Sequence, residues 1–470
     1  MQKLVNKAMQ MIQAERERYL ALHPNSVALS KQASQHFLYG VPMHWMNDWG
    51  TPAPLFIAAA SGAHFTCADN IDYTDFCLGD TGAMFGHCPP AVAKAIANQA
   101  QNGFTAMLPS TLSPNVGAAL SEFFGLDYWQ LATTATDANR FVLRWARAVT
   151  QRKKVLVFDG CYHGTVDDAM VDYTMRDDSM IDMALGNDSM LDTLDGKNIN
   201  RQSLLGQVQD LTQFSVAVPF NDLAAVEHAL KTHEFAALLT EPALTNCGMV
   251  LPQDGFIEAL RALCTKYSTL LVLDETHTIS TARGGWAKAN HVTPDFLVVG
   301  KPIAGGLPAA AYGFSSEMAA SMKAAKDNAP PGHSGIGTTL SGNMMTLAAI
   351  HATLTEVATE AAYTHMLALA RLLEHQLNNV IIAHILPWNI SRMGARLELQ
   401  FCENPPINAR EAREAQNHTI ESAIHLYLLN RGVLLTPFHN MMLVCPATSE
   451  QDIKKLVQVF NECLTELTKA

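Results

Sequence analysis

The chain has 470 residues, 48% of them hydrophobic and only 16% charged, which excludes a disordered segment and calls for a large buried core. With 32 basic against 44 acidic residues the net charge is −12, so the summed field repels phosphate backbones and anionic membranes, and neither nucleic acid nor a membrane is an expected partner. Nine cysteines with no C-x-x-C pair suit reduced thiols and predict a cytoplasmic enzyme.

The opening stretch MQKLVNKAMQMIQAERERYL mixes charged and apolar residues at helical spacing, so it reads as an amphipathic helix and lacks the apolar run of a secretory signal. A small hairpin is expected over Gly62 to Phe76, and residues 1–75 are expected to pack on the C-terminal lobe. From there strands and helices alternate. WQLATT (129–134) leads into a helix whose Ala138, Phe141, Val142, Trp145 and Val149 share one face, and KVLVFDG (154–160) follows. EFAALLTEP (234–242), a helix over Phe256 to Lys266, TLLVLDE (269–275), FLVVGK (296–301) and AAAYGF (309–314) continue the pattern. Short, uninterrupted apolar runs between helices indicate strands buried on both faces, so residues 76–343 are predicted to form an α/β domain on a mainly parallel sheet. A long helix is expected from Met344 to about His375. RLELQF (396–401), GVLLTP (432–437), NMMLVCP (440–446) and a closing helix from Glu450 then predict a smaller α+β domain over 344–470, with one three- or four-stranded sheet.

In such a sheet, polar residues at the carboxyl ends of strands face the ligand crevice. Asp274 closes LLVLDE, Lys301 closes FLVVGK, and Thr134-Ala135-Thr136-Asp137 turns from WQLATT into a helix. Together these suit pyridoxal phosphate: a lysine to form a Schiff base, a carboxylate for the pyridine nitrogen, and backbone amides at a helix start for the phosphate.

The segments FCLGDTGAMFGHCPPAVAKAI, TTATDANRFVLRWARAVTQRKKVLVFDGCYHG, EPALTNCGMVLPQDGF, LLVLDETHT, PDFLVVGKPIAGGLPAAAYG and GTTLSGN resemble, in order, those of the class III pyridoxal phosphate aminotransferases. That family holds ω-amino acid transaminases and glutamate-1-semialdehyde aminomutase. The resemblance implies the fold-type I architecture, pyridoxal 5′-phosphate as cofactor, and a homodimer with a shared active site. It assigns the Schiff base and proton transfer to Lys301 and the pyridine nitrogen to Asp274. Phosphate binding falls to the amides of Ala135 and Thr136, ring stacking to Tyr162, and the opposite ring face to Thr276. Asn246 matches a position near the ring hydroxyl and is equally readable as a left-handed turn residue beside Gly248. Thr339 corresponds to a threonine that reaches the neighbouring subunit's phosphate, and His163 is as readable as a structural histidine.

The chain departs from the family in several places. Ala135 stands where a glycine is usual, and because alanine tolerates positive φ poorly, a slightly altered loop is expected. Many relatives follow a DEV-type strand end with T-G-F-R, whereas this chain runs DETHTISTARGGW, with Arg283 two positions beyond that arginine. Arg396 and Arg392 are therefore candidates for holding a substrate carboxylate, with surface charge beside a strand as the alternative. His439 is a candidate for the site entrance, and Asp80 is expected to disfavour a second carboxylate on the substrate. The chemistry expected is transamination between an amine or amino acid and a keto acid or aldehyde. A 2,1-aminomutase or racemase on the same fold is the alternative. No G-x-G-x-x-G, P-loop or H-E-x-x-H motif supports a nucleotide or metal enzyme.

Overall fold

The computed structural model describes residues 2–175 and 196–469, which fall into two compact units. One comprises Met1–Lys94, Glu356–Pro405 and Ala415–Ala470, and the other Ala95–Thr355 with Pro406–Glu414.

In the first unit the helix Gln2–Leu22 buries Ala8, Met11, Glu15 and Tyr19, a stripe at steps of three and four residues. Glu15 sits in that stripe without an orphaned charge, because Asn430 Nδ2 (2.7 Å) and Arg431 (2.9 Å) both donate to its carboxylate. Strands β1 (Ile57–Ser61), β2 (His64–Cys67) and β3 (Asp72–Asp75) form an antiparallel meander, and Val433–Leu434 adds in parallel to β3. The expected hairpin is the β2–β3 part of this sheet. A second sheet joins Asn389–Met393, Arg396–Gln400 and Met442–Leu443. The C-terminal strands thus serve two sheets instead of the single one expected, because Val433–Leu434 bonds to the N-terminal meander. Phe65 stacks on Tyr73 with ring centroids 4.8 Å apart in the core of this unit.

The helix expected over Met344 to His375 is also interrupted. Met344–Ala352 passes into a π-helical turn at Thr353–Val357, and a new helix, Glu360–Ala383, starts under the cap of Thr359, whose side chain accepts from Ala362 N.

The second unit is built on β4 (Tyr128–Ala132), β5 (Lys154–Phe158), β8 (Ser215–Val218), β9 (Phe235–Thr240), β10 (Leu270–Asp274), β11 (Phe296–Val299) and β12 (Ala310–Phe314), while β6 (Val171–Met175) and β7 (Gly196–Asn200) make a separate ribbon. The order across the main sheet is β4-β12-β11-β10-β9-β5-β8. Every pairing is parallel except the two made by β12. Strands β9, β11 and β12 are buried along their whole length, as their unbroken apolar runs require. Edge strand β4 alternates exposed and partly buried residues, and among the described residues its only sheet neighbour is β12.

Candidate active site

The polar residues at the carboxyl ends of β4, β10 and β11 lie in the second unit. The helix Ala135–Thr150 follows β4 and is capped by Thr134, whose side chain accepts from Asp137 N at 3.2 Å. Thr134 O receives the amide of Ala138. The amides of Ala135 and Thr136 find no protein acceptor among the described residues, so the helix start offers two donors and the positive end of its dipole. Thr136 Oγ1 accepts from Thr165 N at 3.2 Å, which leaves its own hydrogen to donate elsewhere. Ala135 is not among the residues at positive φ. It already belongs to the helix, so the alanine carries no positive-φ strain there.

Asp274 ends β10 with 4% of its surface exposed and four donors around its carboxylate. Oδ2 accepts from Asn139 Nδ2 (2.8 Å) and His163 Nδ1 (3.0 Å), while Oδ1 accepts from the Thr276 amide (3.1 Å) and hydroxyl (2.6 Å). Burial alone would raise its pKa. The hydrogen bond and charge of His163 outweigh that and, with Thr276 and Asn139, hold it down to about 2. His163 is raised in turn: burial opposes its charge and the bond to Asp274 more than restores it. His163 thus pairs with Asp274, and the Thr276 hydroxyl is committed to the same carboxylate.

Lys301 follows β11, whose Val298 is opposite Asp274 in the parallel register. Its backbone is left-handed (φ 47°), a conformation costly for a side-chain-bearing residue and concentrated at functional sites. The preceding Gly300 is required by close approach, since a Cβ there would lie 2.9 Å from Ala135 Cβ. That contact brings the lysine turn against the start of the helix Ala135–Thr150. Lys301 Nζ lies 2.8 Å from His277 Nε2. Next to Asp274, Glu275 is fully enclosed: its carboxylate receives the amides of Trp286 and Ala287 (2.8 Å for the latter) and the Thr278 hydroxyl, and burial pushes its pKa up to about 7.

Tyr162 is 39% exposed in the loop after β5. Asn246 is partly buried, with Nδ2 3.2 Å from Thr245 Oγ1, and it is Gly248 and Met249 that take positive φ there, so the left-handed reading of Asn246 does not hold. Thr339 lies exposed beside Thr338, whose hydroxyl meets Ser341 Oγ at 2.9 Å.

Four candidates belong to the first unit. Arg396, 4% exposed, donates to Glu398 (3.1 Å) and to Asp80 Oδ1 (3.3 Å). Arg392 bonds Glu374 at 2.5 Å, and His439 Nδ1 lies 3.1 Å from Gln416 Nε2 on a turn of positive φ. Arg283, in the second unit, bonds Glu122 at 3.3 Å and covers the Phe123 ring. Asn139 and His277 were not singled out by the sequence. A buried asparagine in the first turn of an otherwise apolar helix face was the signal for the first, and the histidine two residues before Ile279 in DETHTIS was the signal for the second.

A family model described as Aminotransferase class-III matches residues 45–464. The chain belongs to this family. Among solved structures, a glutamate-1-semialdehyde aminomutase from Pseudomonas aeruginosa PAO1 is 44% identical, with a TM-score of 0.92 over 98% of this chain and 99% of that one. The same protein is also known as a lysine-to-alanine variant in complex with PMP. A glutamate-1-semialdehyde 2,1-aminomutase from Anaeromyxobacter sp. (strain Fw109-5) is 30% identical over 88% of this chain and 92% of its own length. A β-phenylalanine aminotransferase from Variovorax paradoxus, 22% identical with a TM-score of 0.82, shares the fold.

The architecture is fold-type I, and the cofactor of this class III aminotransferase is pyridoxal 5′-phosphate. The second unit fits that group. It offers a carboxylate that stays ionised while buried and an amine at the ends of adjacent strands β10 and β11, two amides at a helix start packed against Gly300, and a part-exposed tyrosine after β5. Among the described residues no helix is long and apolar enough to cross a membrane, and no cluster of histidine, cysteine and acidic residues could hold a metal.

Proposed function

We propose that this class III aminotransferase is an aminomutase of the glutamate-1-semialdehyde type, shifting an amino group between neighbouring carbons of one small amino-aldehyde substrate. The observation that carries this reading is the 44% identity to the Pseudomonas aminomutase over nearly all of both chains. Bound pyridoxal phosphate supplies an electron sink for the negative charge left on a substrate carbon when its proton departs. Lys301 Nζ holds the cofactor aldehyde at rest and, once released, carries the proton to and from the substrate carbon. Asp274, kept anionic by His163, Thr276 and Asn139, retains a proton on the pyridine nitrogen. The Ala135 and Thr136 amides and the Thr136 hydroxyl bind the phosphate, Tyr162 stacks on the ring, Thr276 lies at its other face, and Asn246 approaches the ring hydroxyl.

The transaminase expected from the sequence alone needs a separate keto acid to enter and leave. Arg392 and Arg396, the candidates for holding its carboxylate, each already pair with an internal carboxylate, so an alternating partner would have to displace an ion pair. Asp80 and His439 remain candidates for the substrate side.

A second copy of the chain is part of this reading. Phe104, Met107, Leu108 and Leu340 are all more than half exposed, and the loop segments that carry them line one groove together with Thr339. An exposed apolar cluster of this kind suits a homodimer interface that passes Thr339 to the neighbouring site.

The deciding experiment supplies the cofactor-loaded protein with glutamate 1-semialdehyde and no keto acid, and follows the position of the amino group by NMR over many turnovers. The expected result is a shift without an acceptor; product formed only after a keto acid is added would establish transamination instead. Lys301→Ala should abolish the visible absorption of the loaded protein, and persistence of that band would remove Lys301 from its assigned place.

A further inference from the structure

Tyr162 stands between two short stretches of chain that are fastened to different parts of the second unit. On its C-terminal side His163, 1% exposed, bonds Asp274 through Nδ1 and receives Asn139 Nδ2 on its backbone carbonyl at 3.1 Å. On its N-terminal side the carbonyl of Cys161, a residue also 1% exposed, accepts from Arg201 Nη2 at 3.1 Å. The part-exposed ring is thus presented from a fixed stem.

The Arg201 guanidinium is aimed by the ribbon it leaves. Arg201 directly follows β7, its amide donates to Met170 O at 3.1 Å, and its Nε and Nη2 both donate to Asp172 Oδ1 on β6, at 3.1 and 3.0 Å. A planar fork can hold a carboxylate and a carbonyl at once in fixed geometry, whereas an ammonium on a flexible stem is only a point charge. The ribbon is tied to the stem at a second place. Tyr173 N donates to Asp159 Oδ1 at 3.1 Å, and Arg413 donates to Oδ2 of the same buried carboxylate. Between these anchors Gly160 has φ +78°, and a Cβ there would fall 2.5 Å from Ala409 Cβ, so the stem admits only glycine at this point. Of these contacts the Arg201 bond lies nearest to Tyr162 in the chain.

The carbonyl of Cys161 and the amide of Tyr162 belong to one peptide plane. A bond that fixes the carbonyl therefore fixes the direction in which Tyr162 leaves the loop. We propose that Arg201, aimed by Asp172, is a positioning residue for the cofactor ring: it sets the peptide plane from which Tyr162 projects, so that the phenol ring is in stacking position before the cofactor enters. Such preorganisation raises affinity by removing an ordering cost at the moment of binding. The inference rests on Tyr162 being the residue that stacks on the pyridine ring, and adds to it a ribbon residue that acts only through Tyr162.

The test is a double-mutant cycle on cofactor-free full-length protein, titrated with pyridoxal 5′-phosphate and followed by the visible band of the bound form. Tyr162→Ala alone is expected to weaken binding about tenfold, the size of one aromatic stacking contact. Arg201→Met keeps an unbranched stem and removes every donor. It is expected to weaken binding about fivefold where Tyr162 is present and less than about twofold in the Tyr162→Ala chain. A general loosening of the fold lowers affinity by the same factor in both chains, so equal factors overturn the proposal, as does unchanged affinity in Arg201→Met alone. If Arg201→Met fails to fold, Arg201→Lys runs the same cycle, since its charge stays beside Asp172 while the fork is lost. A loss confined to the chain with Tyr162 then supports the proposal, and equal losses or none overturn it. Failure of the underlying assignment reads differently: Tyr162→Ala alone would bind pyridoxal phosphate as tightly as the wild type, and the proposal would fall with it.

Discussion

Gly164→Ala tests the link between backbone packing and the proposed phosphate end. Gly164 has φ +80°, and a Cβ there would stand 3.0 Å from both Cα and Cβ of Thr136 and closer still to Oγ1. The left-handed conformation costs an alanine about 1–2 kcal/mol. Overpacking against backbone that cannot rotate away adds about 1–3 kcal/mol. Displacing Thr136 Oγ1 also removes the acceptor of the Thr165 amide, about 1 kcal/mol more. The cofactor-free variant should therefore lose about 3–6 kcal/mol in urea unfolding, with any relief coming from movement of Thr136 itself. Movement of the second residue in the helix misaims a phosphate donor, and equilibrium titration with pyridoxal phosphate should show at least about a tenfold weaker affinity, near 1.4 kcal/mol. Thr136→Ala in the same chain should recover part of the stability and none of the Thr165 bond. Wild-type stability and wild-type affinity in Gly164→Ala would refute the argument, since the crowding would then not exist.

Asp274→Asn leaves the protonated His163 without its counterion and sets an amide N–H against the donors Asn139 and His163. Breaking such a buried pair should cost about 3–5 kcal/mol in the cofactor-free protein. Because the folded pKa lies below the ordinary value, the contribution is present above about pH 4 and fades as pH falls toward 2, so unchanged stability at pH 7 would count against it. His425, 1% exposed and bonded to Leu435 O, is pushed down to about 4 by burial. Its contribution is complete above about pH 6.5 and lost as pH falls toward 4, so the wild type should lose about 2 kcal/mol between pH 6.5 and 5 that His425→Gln does not, measured by urea unfolding at both pH values. Leu108→Asp puts a charge into the exposed groove proposed as the dimer interface and should convert dimers to monomers in sedimentation velocity; a monomeric wild type would remove the interface.

The sheet was legible because its strands are unbroken apolar runs ending in a polar residue. Asp274 and Lys301 stand at those ends, and the structure brings the two ends side by side in register. The helix after β4 was legible from the helical spacing of Ala138, Phe141, Val142, Trp145 and Val149, and the structure shows Thr134 as its cap. Val433–Leu434 was not assigned to its sheet, because two residues carry no periodicity and their partner β3 lies far away in sequence. The interruption at Thr353–Val357 also escaped, since an apolar helical pattern runs through it and only the Thr359 cap marks a new start. Asn139 and His277 act by pointing at other side chains, and spacing along one segment does not report what a distant segment brings to meet it.

The position of β12 sets a schedule for biosynthesis. β4 is the first strand of the main sheet to leave the ribosome, yet it is hydrogen-bonded only to β12, the last to emerge. A nascent chain can assemble the parallel strands from β5 to β11 while β4 waits without a strand partner. Ribosome-bound chains cut short before β12 would therefore carry Lys301, Asp274 and the parallel strands β5 to β11 and still leave β4 without its sheet partner.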